Sequence, residues 1–343
     1  MKIIQRLILT FILVIGGMGC SSVKYLWQAG RGQVGLSNRA VLISDYLKKD
    51  GVSPRTRVLL ESIAEIKKFG EDQGLETTPN YLRYVPLDRP YVVYTVTACA
   101  PLKFEPKIWE FPFVGSVPYL GWFHEEDAKK FAETLKQEGL DVSVRGVRAF
   151  STLGWFQDPV LSSMILEGTH AQGYLAEVIL HESVHATFYI PAQTPFNESL
   201  ASFVGDRLAE EFLLKKFGPE SEEYLSWSHS QKKSEKLEEN FHKAYLDLEK
   251  IYSSSSSDSE KSTQKQEILK KLEAASAYGQ SLNNANMMQF KTYQTGIPEL
   301  EKLWERSGKN WVKFWEAIRK IKTGHFPHQQ EEDLSSVIRP LLG

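Results

Sequence analysis

The chain of 343 residues has only two cysteines, Cys20 and Cys99. Two cysteines are too few for the disulfide framework that stabilises small exported domains. If Cys20 is modified as described below, Cys99 alone remains, and its apolar, strand-like surroundings predict a buried side chain. Stability must then come from a packed core, which a chain of this length can form.

The chain also lacks an excess of charge of either sign, since it contains 41 Lys and Arg residues and 43 Asp and Glu residues. This balance gives no indication of nucleic acid or of an anionic surface as a partner. The ordinary composition and a mature length of about 320 residues favour an enzyme of one domain.

The apolar run Leu7–Ile15 is too short to cross a membrane as a helix. Lys2 and Arg6 precede this run, and small residues follow it, which is typical of a signal peptide over residues 1–19. Gly19-Cys20-Ser21-Ser22 resembles a lipobox, in which the cysteine is acylated and becomes the mature N-terminus. The sequence therefore predicts that a lipid on Cys20 anchors the protein to a bacterial membrane, with the protein facing the periplasm. The outer membrane is the expected one, and secretion without an anchor is the alternative.

The most informative motif is His181-Glu182-Ser183-Val184-His185. Apolar residues at helical spacing precede the motif, so we expect it to lie on a helix. Residues four apart lie on the same helical face, so both imidazoles can reach one zinc ion. Glu182 lies about 100° further round the helix, where its carboxylate can act as a general base for the attacking water.

A third ligand is expected from the helix that follows. Pro191 and Pro195 predict a turn, and the next helical run places Glu198 in its first turn, facing the two histidines. Asp206 is a second candidate, about two turns further along. Glu198 could instead be an acidic residue that stabilises a helix N-terminus. The longer pattern HExxHxxGxxH is excluded, because Phe188 and Pro191 occupy its Gly and His positions.

The order of the remaining elements predicts an α+β, predominantly helical fold. We expect N-terminal helices over 24–74, a sheet-bearing part over 90–160 and a helical part over 171–343, all within one domain of residues 20–343. Strands are predicted at 91–97, 116–123 and 140–145, and a helix between the last two. The serine-rich stretch 253–259 is expected to be a flexible loop.

Substrate contacts are predicted at two places. The stretch from Arg148 to Trp155 could pair its backbone with an extended peptide, with Thr152 and Gly154 at the contact, although it could equally be a core strand and turn. The oxyanion needs a further donor, for which Tyr293 is the candidate and His124 and His170 are alternatives. Tyr293 could also simply pack in the interior.

These residues carry a family resemblance. The His-Glu helix followed by an Asn-Glu helix is similar to the glutamate zincins, in which the glutamate is the third zinc ligand. Nearly the whole mature chain resembles a bacterial lipoprotein family called putative aminopeptidases, through Val23–Gln33, Tyr91–Tyr94, Arg145–Met164, Phe196–Ala201 and Leu282–Ala285.

The resemblance implies a zincin-like fold, with a small β-sheet packed on the metal helix and further helices C-terminal to it. It also directs attention to Asn283 and Asn284, which could grip the substrate backbone or orient Tyr293; asparagine pairs also cap helices. Members of the family often carry two cysteines where this chain has Glu110 and Ser116.

The sequence thus predicts peptide-bond hydrolysis with one zinc ion, by an aminopeptidase of the cell envelope acting on peptides or proteins. An endopeptidase with the same chemistry, a lipid-anchored scaffold or chaperone with a structural zinc, and a zinc hydrolase acting on other bonds are the alternatives. The oligomeric state stays open.

Overall fold

The structure is a computed structural model that describes residues 20–111, 115–149, 157–276, 281–291 and 295–342. Helices predominate, which confirms the α+β, mainly helical class. They are α1 Cys20–Arg39, α2 Ile43–Tyr46, α3 Pro54–Asp72, α4 Glu125–Gln137, α5 Ala171–Thr187, α6 Thr194–Phe217, α7 Glu222–Tyr252, α8 Asp258–Ser276, α9 Asn284–Met287, α10 Ile297–Arg306, α11 Trp311–Ile318 and α12 Ser335–Ile338. The strands are β1 Val41–Leu42, β2 Arg83–Val85, β3 Val93–Cys99, β4 Trp109–Phe111, β5 Gly115–Val117, β6 Tyr119–Trp122, β7 Asp141–Val147 and β8 Val160–Leu161.

The chain forms two compact units that exchange segments along the sequence. The first, here called the sheet unit, comprises Met1–Ala40, Arg89–Arg148 and Leu248–Met288. The second, here called the helical unit, comprises Val41–Asp88, Ala149–Asp247 and Gln289–Gly343. The metal helix predicted from the sequence lies in the helical unit, whereas the larger sheet lies in the sheet unit. The single domain and the packing of a sheet on this helix therefore stay predictions.

The sheet unit is built on an antiparallel sheet of order β6-β3-β7. Central strand β3 pairs with both neighbours, with Val96 opposite Leu120 on one side and Val144 on the other. Helix α4 packs its apolar face on this sheet and buries Ala128, Ala132 and Leu135. The three predicted strands and the helix between them are confirmed, although the second strand is divided at Pro118 into β5 and β6. Proline has no N–H to donate to a ladder, which explains the division.

Glu110 and Ser116 are register partners across the short β4–β5 ladder. These are the positions at which the family resemblance predicts cysteines, and in this chain a polar pair occupies them.

Helix α1 packs on the sheet unit along one side only. The Tyr25 ring contacts the rings of Phe111 and Trp122 at centroid distances of 5.3 and 5.6 Å. The side-chain amide of Gln28 donates to the carbonyl of Gly121 at 2.9 Å and accepts from the amide of Phe123 at 3.2 Å. These contacts fix which face of α1 turns inward.

Asn284 is the polar centre of the sheet unit and is fully buried. Its Nδ2 donates to the carbonyls of Ala100 and Pro101 at 2.9 and 3.1 Å, and its Oδ1 accepts from the Tyr252 hydroxyl at 2.7 Å. The side chain of the preceding Asn283 caps α9 and donates to the carbonyl of Val142 at 2.9 Å. Both asparagines therefore have structural partners.

The helical unit contains helices α3, α5 and α6 and a three-stranded sheet of order β1-β2-β8. Helix α3 lies within the stretch 24–74 predicted to be helical, and it begins at Pro54 because the Ser53 side chain accepts from the amide of Thr56 at 3.1 Å. Gly70 of α3 lies against Leu180 of α5, where an added Cβ would come within 2.8 Å of the leucine side chain. The absence of a side chain at Gly70 thus lets α3 pack closely against α5.

The serine-rich stretch connects α7, which ends at Tyr252, to α8, which begins at Asp258. The Ser257 hydroxyl oxygen accepts from the backbone amide of Glu260 at 3.3 Å and so caps α8. The loop is thus shorter than the predicted 253–259, because its last residues start the next helix. Across the ranges given above, no helix is both long and apolar enough to span a bilayer.

Replacing Asn284 by Ala should lower the free energy of unfolding by about 2–3 kcal/mol, because the Tyr252 hydroxyl and the carbonyls of Ala100 and Pro101 lose their partner. Denaturant titration measures this change. Asn38→Ala on the exposed side of α1 is the matched control and should change stability by less than about 0.5 kcal/mol. Equal effects of the two substitutions would contradict the structural role of Asn284.

Candidate metal centre

The predicted metal ligands meet between helices α5 and α6. His181 Nε2 lies 3.4 Å from one Glu198 oxygen, and His185 Nε2 lies 3.6 Å from the other. One ligand atom from each of the three residues lies within 4.8 Å of the others, and this is the one such group of His, Cys, Asp or Glu found among the described residues. Two imidazoles and one carboxylate are a donor set that suits a catalytic zinc site.

Helices α5 and α6 run antiparallel, since His185 faces Glu198 while His181 also lies against Gly205, further along α6. A Cβ added at Gly205 would come within 3.0 Å of the backbone of His181. Glycine is therefore the residue that lets the two backbones approach at the level of the ligands. Glu198 is the fifth residue of α6, one position beyond the predicted first turn, because the helix already begins at Thr194.

The turn between the two helices is fixed by Asn197, which is 1% exposed. Its Oδ1 accepts from the amide of Ile190 at 2.9 Å, and its Nδ2 donates to the carbonyl of the same residue at 2.8 Å. Because Asn197 holds Ile190 in this way, α5 ends at Thr187, three residues before Ile190 and ahead of the turn predicted at Pro191. The asparagine next to Glu198 thus sets the direction from which that carboxylate meets the histidines.

The same turn is held from the C-terminal end of the chain. The Gln193 amide group donates to the carbonyl of His328 at 2.7 Å and accepts from the amide of Glu331 at 3.0 Å. The side-chain oxygen of Gln330 accepts from the amide of Thr194 at 3.0 Å. Residues far apart in sequence therefore hold the end at which the two helices are connected.

Acidic groups surround His181. Although burial, the largest influence, lowers the pKa of His181, its contact with Glu198 and the charges of Glu182, Glu198 and Asp206 raise it on balance. Burial lowers the pKa of His185, against a smaller opposing effect of Glu198. A metal ion at this site has to displace the proton that the carboxylates favour on His181.

Glu177 lies one turn before His181 on α5 and accepts hydrogen bonds from Trp227 Nε1 at 3.2 Å and from Gln231 Nε2 at 3.0 Å, both on α7. Burial raises the pKa of the Glu177 carboxyl, which the hydrogen bond from Trp227 and the charge of His181 partly offset. Burial and then the charge of Glu177 raise the pKa of Asp206 to about 7, with His181 opposing. Asp206, the alternative ligand, is thus outside the three-residue group but acts on His181 electrostatically.

Glu182 is half-buried on the metal helix, and its charge acts on Tyr81. Tyr81 is 5% exposed and has a positive φ of 63°. Burial first, and then the charges of Glu182 and Asp158, raise the pKa of its phenol well above the usual value. A bulky residue in this backbone region is strained and marks a site where the surroundings impose the conformation.

Several hydrogen bonds impose that conformation. The amide of Tyr81 donates to the carbonyl of Asp158 at 2.7 Å, and the amide of Asp158 donates to the Asn80 side chain at 3.0 Å. Lys67 Nζ donates to the carbonyls of Thr78 and Asn80, each at 2.6 Å. The loop that carries Tyr81 is thus bound to α3 and to the segment after residue 156.

The other predicted site residues are distributed as follows. Thr152, Gly154 and Tyr293 lie outside the described residues. His124, Asn283 and Asn284 belong to the sheet unit. The two asparagines have structural hydrogen bonds there, and their role in substrate binding stays a prediction. His170 precedes the first residue of α5, about 16 Å along the helix from His181.

Sequence reasoning missed Tyr81, Asn197, Gly205 and Glu177. Gly205 had a signal, because glycine inside a helix indicates a close approach of another backbone. Glu177 also had one, since it lies four residues before His181 on the same face. Nothing local marks Tyr81, because its position depends on contacts with distant segments.

His181 and His185 of the HExxH motif and Glu198 on the following helix thus form one group of side chains with the geometry to hold a metal ion. Residues 24–334 match the family described as putative aminopeptidase, so the chain belongs to that family. Searches of curated proteins and of solved structures gave no significant match.

Replacing Gly205 by Ala should weaken zinc binding by about 10-fold or more, because the added methyl group displaces the backbone of His181. Competition with a chromophoric chelator measures this affinity. Gly35→Ala on α1 is the matched control, since a Cβ there meets no atom within 4 Å. A helical alanine at position 35 should leave the affinity unchanged, and an equal loss in both variants would exclude the proposed contact.

Replacing Asp206 by Asn should flatten the pH dependence of stability of the metal-free protein. The pKa of Asp206 rises from 3.8 to about 7 on folding, so the folded state keeps a proton that the unfolded chain has already lost. Stability from this group therefore falls as the pH rises from about 4 to 7. Melting temperatures between pH 5 and 8 in the presence of a chelator should show a smaller decline in the variant than in the wild type. Glu126→Gln, at an exposed position of α4, should keep the wild-type decline.

Proposed function

We propose that this chain is a zinc-dependent aminopeptidase of the cell envelope, with Glu182 as its general base. The convergence of His181, His185 and Glu198 within 4.8 Å is the observation that carries the proposal. Family membership supports the aminopeptidase activity.

The three ligands would hold one zinc ion through two imidazole nitrogens and one carboxylate. Bound there, zinc would polarise the scissile carbonyl and lower the pKa of water. Three protein ligands leave one coordination position open, as hydrolysis requires, whereas structural zinc sites usually have four protein ligands.

Glu182 follows His181 directly and therefore lies beside the ligands without being one of them. Its carboxylate takes a proton from the attacking water and delivers it to the leaving amine. Burial and then the charge of Glu182 raise the pKa of the Tyr81 phenol, so the Glu182 carboxylate acts electrostatically on this buried side chain.

Localisation is proposed from the N-terminal sequence. The signal-like residues 1–19, which lie outside the described residues, end directly before Cys20, the first residue of α1. Acylation of Cys20 would anchor the enzyme to a membrane facing the periplasm, where it would meet peptides.

Replacing Glu182 by Gln should lower kcat by about 100-fold or more while leaving the bound zinc unchanged, because only the proton acceptor is lost. Hydrolysis of peptide libraries and atomic absorption on the same samples measure the two quantities. Glu167→Gln, at a carboxylate whose side chain is 94% exposed, is the control and should keep full activity.

Peptide libraries with free N-termini and with acetylated N-termini distinguish an aminopeptidase from an endopeptidase. An aminopeptidase cleaves only the free peptides, whereas cleavage of both would indicate an endopeptidase. Undiminished hydrolysis by the Glu182→Gln variant would refute the mechanism, and zinc binding without cleavage of any peptide would favour a scaffold role.

A further inference from the structure

Helix α1 has an exposed stripe that contains Trp27 and Val34. Trp27 is 72% exposed and Val34 is 56% exposed, and the two residues lie seven apart. Seven residues turn an α-helix through about 700°, close to two full turns, so both lie on one face. Position 20 precedes Trp27 by another seven residues and falls on the same stripe.

The opposite face of α1 is the one that packs on the sheet unit. Tyr25, Gln28 and Leu36 lie on that face, and Leu36 is 4% exposed. A Cβ at Gly32, also on this face, would overlap the ring of Phe123. Rotation of α1 is therefore fixed, and the stripe through positions 20, 27 and 34 is directed to the outside of the sheet unit.

The charge of α1 differs from that of the whole chain. Although the chain is nearly neutral, Cys20–Arg39 contains no Asp or Glu and three cationic residues, Lys24, Arg31 and Arg39. Arg31 lies between Trp27 and Val34 and is exposed. An exposed indole beside cations, on a helix without acidic residues, suits the headgroup region of a bilayer that contains anionic phospholipid.

We propose that α1 lies flat on an anionic phospholipid bilayer, with Trp27, Arg31 and Val34 in its headgroup region and the acyl chains of Cys20 inserted beside them. The proposal rests on the lipid anchor proposed above but not on the peptidase activity. The geometry supports a flat helix because the anchor position and the exposed apolar side chains share one stripe. A helix standing upright would hold Trp27 in water about 10 Å above the surface.

A helix along the surface also adds a second attachment to the acyl group. Apolar and cationic contacts of a surface helix strengthen the membrane attachment that acyl chains provide. In this arrangement α1 sets which side of the sheet unit faces the membrane, because its inner face is bound to that unit.

Spin labels on the acylated protein test the proposal. The full-length chain is produced in a bacterial host, and the mass of its N-terminal peptide reports acylation of Cys20. A nitroxide is attached at Val34→Cys and, in a separate variant, at Val312→Cys on α11, where Val312 is 66% exposed. Cys99 should not react, because burial raises the pKa of its thiol to about 11.

Each labelled protein is placed on vesicles of phosphatidylethanolamine and phosphatidylglycerol. We expect the label at position 34 to collide several-fold less with a water-soluble nickel chelate, and more with oxygen, than the label at position 312. On phosphatidylcholine vesicles this protection should decrease, because the cations lose their anionic partners. Trp27→Ser should also reduce the protection at position 34 without changing peptide hydrolysis.

Equal nickel access at positions 34 and 312 on the anionic vesicles would overturn the proposal. Equal protection on both kinds of vesicle would overturn its anionic part. Dipolar broadening between labels at position 34 would show that a second copy of the chain covers the stripe. A chain without acyl groups would refute the anchor and this inference together, but it would leave the peptidase assays unaffected.

Discussion

The close approach of helices α5 and α6 is the contact on which the candidate site depends. Gly205 lies against the backbone of His181, and Asn197 holds the turn at the other end of the pair. Two histidines on one helix can only bind a metal weakly unless a third ligand is held at a fixed distance. The backbone contact and the turn together place Glu198 at that distance from both imidazoles.

The two histidines have different electrostatic surroundings because of the way α5 and α6 pack. The carboxylates of Glu182, Glu198 and Asp206 act electrostatically on His181, whereas His185 is the more buried of the two side chains. Burial costs a charged imidazole its hydration, while nearby carboxylates restore part of the loss. A divalent cation at this place would compensate several negative charges at once, which is consistent with a site built to hold one.

Support for the site comes from segments that are distant in sequence. The loop of Tyr81 is bound by Lys67 and by the residues around Asp158, and the turn before α6 is bound by the chain near His328. Such contacts restrict the positions of catalytic side chains more strongly than the local helix alone. The strained backbone of Tyr81 persists because several hydrogen bonds hold the loop on both sides.

Much of this protein was predictable from sequence because local physics determines it. The four-residue spacing of His181 and His185 requires a helix, Ser53-Pro54 starts α3, and strand-forming residues specify β3 and β7. The distance between α5 and α6, the strained Tyr81, and the exchange of segments between two units were decided only by tertiary structure. They depend on contacts between residues far apart in the chain, and no periodicity or local propensity records such contacts.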